Sequence, residues 1–273
     1  MSQFLSEIRP DYVSNYSKNA FIQFDAAKAL AAFASPAIEP GKVMLDVGCG
    51  SGKVSQFLFD SFKPRTFHAI DQSPEMIQEA QASGYSEDIA FKRTSIEEYS
   101  VDTKYDFVFS NSSFQWFSDY EAGLANIRGQ LNPDGAFFIQ SSYKSRWCPE
   151  FLELIDTLRS QHFFIDDLLK GHHFPCMHLE SEDEYRAFLQ DHKFDVQDII
   201  AKDFIYDLSP EETIQVFNSG PIKAYTSQRY YDEGIESRAI NEFYNLFQKE
   251  VHNTKLDRIT YPRVLIKCQI RNI

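Results

Sequence analysis

The chain has 273 residues, 43% of them hydrophobic, with 40 acidic against 27 basic side chains and a net charge of −13. That is enough for one large domain with a real core, and the acidic balance, with no basic run longer than two residues, argues against a nucleic-acid partner, which needs a basic footprint. No uncharged apolar stretch approaches the ~18 residues of a membrane span, the N-terminus lacks the basic start and apolar run of a signal peptide, and Cys49, Cys148, Cys176 and Cys268 form no C-x-x-C pair, so a reduced, cytoplasmic protein is expected.

Phe21 to Phe33 is alanine-rich with apolar residues at helical spacing and reads as a helix stopping before Pro36. Val43 to Val47 reads as a buried strand, followed by a glycine turn and a helix over Lys53 to Phe62. Thr66 to Ile70 is a second strand ending in Asp71, and Ser73-Pro74-Glu75 starts a helix, with serine suited to cap and proline to the first helical position. Further strands are expected at Ile89 to Lys92, Phe107 to Ser110 and Ala136 to Gln140, with a helix from Asp119 to Leu131 ended by Asn132-Pro133-Asp134-Gly135. This alternation predicts an α/β fold: a Rossmann-like, seven-stranded, mostly parallel sheet covered by helices on both faces. Residues 150–192 read as helical, Phe194 to Asp207 as a sixth strand, Pro210 to Phe217 and Ile235 to Val251 as helices. Ile259 to Ile270 reads as a last strand, with Val264, Ile266 and Cys268 on one face and Leu265, Lys267 and Gln269 on the other. A single domain over 1–273 is expected, with a core at about 37–143, a helical lid and acceptor region at about 145–255 and the final strand at about 259–270.

The most informative stretch is Leu45-Asp46-Val47-Gly48-Cys49-Gly50-Ser51-Gly52-Lys53. Glycines at every second position after a strand mark backbone that comes close to a ligand. A dinucleotide fingerprint is G-x-G-x-x-G; here Lys53 stands where its third glycine belongs, and Gly52 comes one place early. The alternative ligand is S-adenosylmethionine. Asp71, nineteen residues after Gly52, lies where the carboxyl ends of parallel strands bind ligands, and a carboxylate there accepts both hydroxyls of a ribose.

The G-x-G-x-G turn preceded by Asp46 resembles motif I of the class I S-adenosylmethionine-dependent methyltransferases. The segment with Ser110-Asn111, Phe114-Gln115-Trp116, Asp119 and Leu131-Asn132-Pro133-Asp134-Gly135-Ala136 is similar to the group holding trans-aconitate and malonyl-carrier-protein O-methyltransferases, as is Tyr261-Pro262-Arg263-Val264-Leu265-Ile266. The resemblance implies that Asp46, Gly48 and Gly50 hold the methionine moiety and that Asp71 binds ribose. It places Gln72 and Met76 beside the adenosine and Asn111 near the sulfonium. Where the family commonly carries an acid for the adenine amine, this chain has Thr94-Ser95-Ile96, so the Ser95 side chain or the Ile96 backbone takes that contact.

The implied reaction is methyl transfer to a small molecule, first a small organic acid or a carrier-bound acyl carboxylate. A carboxylate, with a pKa of ~4, is ionised at pH 7 and needs no general base; alignment and exclusion of water suffice. No catalytic proton-transfer residue is assigned. Donors that orient the acid are expected instead, with Arg146, Tyr225, Arg229 and Tyr230 as candidates, Phe114 and Trp116 as an apolar wall, and Tyr12, Tyr16 and Gln23 as a lid. O- or N-methylation of another metabolite and a non-catalytic cofactor-binding protein remain alternatives; a NAD-dependent oxidoreductase is disfavoured by Lys53. His172, His173, Cys176 and His178 have metal-ligand chemistry but no zinc spacing, so no metal is expected. The acceptor and the oligomeric state are not given by the sequence.

Overall fold

The computed structural model describes residues 21–232 and 234–271. Its centre is a seven-stranded sheet built from β1 (Val43–Val47), β2 (Thr66–Asp71), β3 (Ile89–Arg93), β4 (Tyr105–Asn111), β5 (Leu131–Ser142), β6 (Phe194–Asp207) and β7 (Arg258–Ile270). The order is β3-β2-β1-β4-β5-β7-β6. The first five strands are parallel and β7 runs antiparallel to β5, with Ile139 opposite Ile266 and Ser142 opposite Arg263. Strand order reverses between β1 and β4, which creates the crevice where ligands settle in such sheets. The α/β expectation therefore holds.

Both faces of the sheet are packed. Val43, Leu45, Val108, Phe137, Ile139, Val264, Ile266 and Cys268 belong to one core cluster; Met44, Phe107, Phe109, Phe138 and Leu265 belong to the other. The alternation read from β7 is thus real, and it fixes its register against β5. Helix α1 (Phe21–Ala34) precedes β1, and α2 (Lys53–Phe62), α3 (Pro74–Ala82) and α4 (Tyr120–Gln130) intervene among the first five strands. Ser73 Oγ accepts from Met76 N at 3.2 Å with Pro74 in the first turn, as its sequence predicts.

The chain divides into two compact units, one of Gln23–Ser145, Met177–Lys202 and the stretch from Pro262, the other of Arg146–Cys176 and Asp203–Tyr261. The second holds helices α5 (Pro149–Gln161), α6 (Phe163–Lys170), α8 (Pro210–Ser219), α9 (Ile222–Thr226) and α10 (Ser237–Thr254), while α7 (Glu182–Asp191) belongs to the first. Its interior is aromatic: Phe151, Phe217, Phe243 and Phe247 are fully buried, with the Phe217 and Phe247 rings stacked at 3.9 Å.

Two expectations are corrected. β5 begins at Leu131, not Ala136: Leu131 pairs with Tyr105, and the Pro133 turn is absorbed as a register shift before Phe107 meets Ala136. Residues 150–192 are not continuously helical; 171–181 is irregular around Gly171 and Pro175, where proline lacks the backbone donor a helix needs. The short helix Ile222–Thr226 falls in 218–234, where the sequence reading names no element. No helix among the described residues is long and apolar enough to cross a membrane.

Candidate cofactor site

The turn after β1 is held by its neighbours' backbones. Gly48 N and Cys49 N both donate to the Ile70 carbonyl, at 2.8 and 2.9 Å. Gly48 has φ +77°, and a Cβ there would overlap the Ser113 side chain, so glycine is demanded twice over. Ser113 is brought there by Ser112, whose φ of +56° bends the chain at the end of β4, and its hydroxyl donates to the Val47 carbonyl at 2.6 Å. Gly52 caps the following helix at φ +84°; a Cβ there would press on the Phe91 ring at 2.8 Å. At Gly50 nothing lies within 4 Å of an added Cβ, leaving an open cradle on the turn.

Two carboxylates flank this cradle. Asp71 spans it: one oxygen accepts from Gly50 N at 3.0 Å and the other from Ser73 N at 2.8 Å, which uses two of the roughly four lone-pair sites of a carboxylate. Asp46 is 1% exposed and accepts from Ser55 Oγ at 2.6 Å. Burial pushes its pKa up to about 7, with the charge of Asp71 adding to the rise against the lowering bond from Ser55. The Cys49 thiol is likewise pushed well up by burial and the two aspartates, so it remains a thiol.

At the end of β4, Asn111 is buried and donates through Nδ2 to the Gln23 carbonyl at 3.0 Å. Its Oδ1 and the Oε1 of Gln23 are buried acceptors without a hydrogen-bond partner among the described residues. Such groups carry a desolvation cost of roughly 1–3 kcal/mol, which a donor-rich ligand relieves. An ammonium fits that need, and a ribose diol fits the unused lone pairs of Asp71. Met76 is buried and Gln72 exposed; Ser95 is half-buried beside Glu97. Ile96 is buried in the core, its carbonyl accepting from Asn126 Nδ2 at 3.0 Å.

The structure separates the acceptor candidates. Phe114 has no exposed surface and packs its ring on Phe117, Tyr120, Phe137 and Phe188; as core it cannot serve as an exposed wall. Trp116 is half-buried in the turn Phe114–Trp116. Arg146 lies in the second unit, exposed and paired with Glu153 at 2.8 Å. Tyr225, in that unit, is buried and stacked on His172 at 4.9 Å, its hydroxyl pKa raised by burial. Exposed Arg229 lies over the half-buried ring of its neighbour Tyr230. Tyr12 and Tyr16 lie outside the described residues. His172 Nε2 meets the Ala224 carbonyl and His173 Nε2 meets Asp232, and no metal-holding group of three His, Cys, Asp or Glu occurs among the described residues.

Comparison with known proteins gives the same class. A methyltransferase-domain family model matches residues 38–193, more than half of the chain. A malonyl-[acyl-carrier protein] O-methyltransferase of Acetivibrio thermocellus is 37% identical over 92 residues, 34% of this chain and 32% of that protein. A trans-aconitate 2-methyltransferase of Escherichia coli is 28% identical over 131 residues, 47% of this chain and 51% of that one. The matched stretch thus spans only about a third to a half of these relatives. A methyltransferase from Geobacter sulfurreducens, solved with S-adenosyl-L-homocysteine, superposes with a TM-score of 0.53 at 14% identity, covering 90% of this chain and 91% of that one.

The chain belongs to the class I S-adenosylmethionine-dependent methyltransferases. It is an enzyme of the methyl-transferring class, with S-adenosylmethionine as its cofactor.

Proposed function

We propose that the protein methylates a carboxylate of a small organic acid or carrier-bound acyl group. The observation that supports this most is the pair of curated relatives, both named as methyltransferases of acids. When bound, S-adenosylmethionine supplies a methyl group on a positively charged sulfur. Gly48 and Gly50 give the methionine end close access to backbone, Asp71 takes the ribose hydroxyls, and Gln72 and Met76 flank the adenosine. The Ser95 hydroxyl and the Ile96 backbone are the adenine contacts. Asn111 Oδ1 and Gln23 Oε1 accept from the ammonium, which satisfies both buried oxygens and neutralises the field on Asp46. Trp116 is an apolar wall of the acceptor site.

An ionised acid requires no proton transfer, so what remains is alignment and exclusion of water. The test is methyl uptake from labelled S-adenosylmethionine across carboxylic acids, aconitate and malonyl thioesters first, beside amines and phenols. The expected product is a base-labile methyl ester. Transfer confined to amines or hydroxyls, giving a base-stable product, refutes the reading.

A further inference from the structure

Gln140 stands near the carboxyl end of β5 and has no exposed surface. By strand alternation it follows Ala136 and Phe138 onto a face that packs as apolar core. A buried amide on such a face costs free energy unless its polar atoms are bonded, and here they are spent mainly on one residue. The Gln140 carbonyl accepts from Ser112 N at 3.0 Å, and its side-chain Oε1 accepts from Ser112 Oγ at 2.6 Å. The side-chain Nε2 donates to the Ser141 carbonyl at 3.3 Å. Ser112 is the residue that needs holding, because its φ of +56° lies in the left-handed region, where a non-glycine residue is uncommon. Its carbonyl accepts from Gln115 Nε2 at 3.2 Å, and Gln115 Oε1 accepts in turn from Ser141 Oγ at 3.1 Å. The amide, hydroxyl and carbonyl of Ser112 are thus all tied, directly or through Gln115, to the end of β5.

The bend held in this way carries two groups of the cofactor site. Before it stands Asn111, paired with Gln140 in the parallel register. Asn111 Nδ2 is on the Gln23 carbonyl, and its Oδ1 is buried without a hydrogen-bond partner among the described residues. After the bend stands Ser113, which bonds to the Val47 carbonyl and to Ser110 Oγ and lies against Gly48. Ser113 therefore has anchors of its own, whereas the backbone of Asn111 ends β4 and takes its onward direction from Ser112. Asp71 makes its bonds to Gly50, Ser73 and Thr94 and none to the bend.

We infer that Gln140 is a positioning residue: through Ser112 it aims Asn111 Oδ1 at the ammonium of the methionine end, and so governs affinity for that end of the cofactor and not for its adenosine. The inference rests on the placement of the ammonium at Asn111 and Gln23 given above.

The experiment measures by calorimetry the affinity for S-adenosylhomocysteine and for methylthioadenosine, which has the same adenosine and sulfur but no amino-acid end. The proteins are wild type, Gln140→Met, Ser112→Ala, Asn111→Ala, and each of the first two substitutions added to Asn111→Ala. Methionine keeps the length of glutamine without an oxygen for Ser112. Ser112→Ala breaks the same bond from the other side, and it decides the question if the buried substitution does not fold. S-adenosylhomocysteine affinity should fall about tenfold in Asn111→Ala, the worth of one hydrogen bond to a charged group. It should fall about threefold to tenfold in Gln140→Met and Ser112→Ala, the range of one neutral bond. Methylthioadenosine affinity should stay within about twofold throughout, and neither substitution should cost anything further on top of Asn111→Ala. Equal losses for the two ligands make Gln140 merely structural and overturn the inference, and additive losses in the double variants overturn the route through Asn111. Unchanged S-adenosylhomocysteine affinity in Gln140→Met and Ser112→Ala, with Asn111→Ala weakened, overturns the inference and leaves the ammonium placement standing. Unchanged affinity in Asn111→Ala overturns both.

Discussion

Replacing Asp46 with asparagine removes a charge that burial penalises while keeping an oxygen for Ser55 Oγ. In the folded protein the carboxyl titrates at about 7, against an ordinary 3.8. Below about pH 4 both states hold the proton. As the pH rises towards 7 the unfolded chain ionises while the folded one does not, so the unfolded state is favoured progressively and the loss levels off above 7. At about 1.36 kcal/mol per pH unit the gap amounts to about 4 kcal/mol, an upper bound because ionisation draws in water and relaxation. Urea unfolding of the cofactor-free protein at pH 5 and pH 8.5 reads this directly. Because about 1.6 kcal/mol of that gap falls below pH 5, wild type should lose about 1–3 kcal/mol more over that interval than Asp46→Asn, a sizeable part of a typical stability of about 5–15 kcal/mol. On the proposed placement of the methionine end at Asp46, the variant should also bind S-adenosylhomocysteine more weakly at pH 8.5. Identical pH slopes in the two proteins would refute the assignment of a penalised buried charge to Asp46.

Gly48→Ala places a methyl group into Ser113 at a left-handed backbone position; S-adenosylhomocysteine affinity should fall at least about tenfold by calorimetry, strain alone at such positions being of order 1 kcal/mol or more. Asp71→Ala frees the Gly50 and Ser73 amides and, on the proposed placement of ribose, removes the acceptor for its hydroxyls; a loss of about a hundredfold in affinity is expected, from charged hydrogen bonds of about 1.5–3 kcal/mol each. Tyr185→Phe leaves the buried Ser142 carbonyl without its phenol donor; unfolding should show about 1–3 kcal/mol of destabilisation with S-adenosylhomocysteine affinity unchanged.

The first half of the fold was legible because its signals are local. Apolar runs of strand length, a glycine turn and a Ser-Pro helix start fall where β1, β2 and the helix from Pro74 begin. The opening of β5 was not legible, since Asn132-Pro133-Asp134-Gly135 reads as a loop until Tyr105 is seen to pair with Leu131. Phe114 shows a different limit. An aromatic ring has the same letter whether it lines a cavity or fills a core, and only its packing on Tyr120, Phe137 and Phe188 decides. The burial of Arg263 shows a third limit: a charged residue in the opening of an apolar strand is buried or exposed according to the register of β7 against β5, which no local pattern encodes.

The central claim, a cofactor cradle made by Gly48–Gly52, Asp71 and the open acceptors of Gln23 and Asn111, is tested most directly by calorimetric titration with S-adenosylhomocysteine and, separately, with NAD. Micromolar binding of the first, abolished in Asp71→Ala, and none of the second is the predicted result. Binding of NAD without S-adenosylhomocysteine, or S-adenosylhomocysteine affinity indifferent to Asp71, would contradict it.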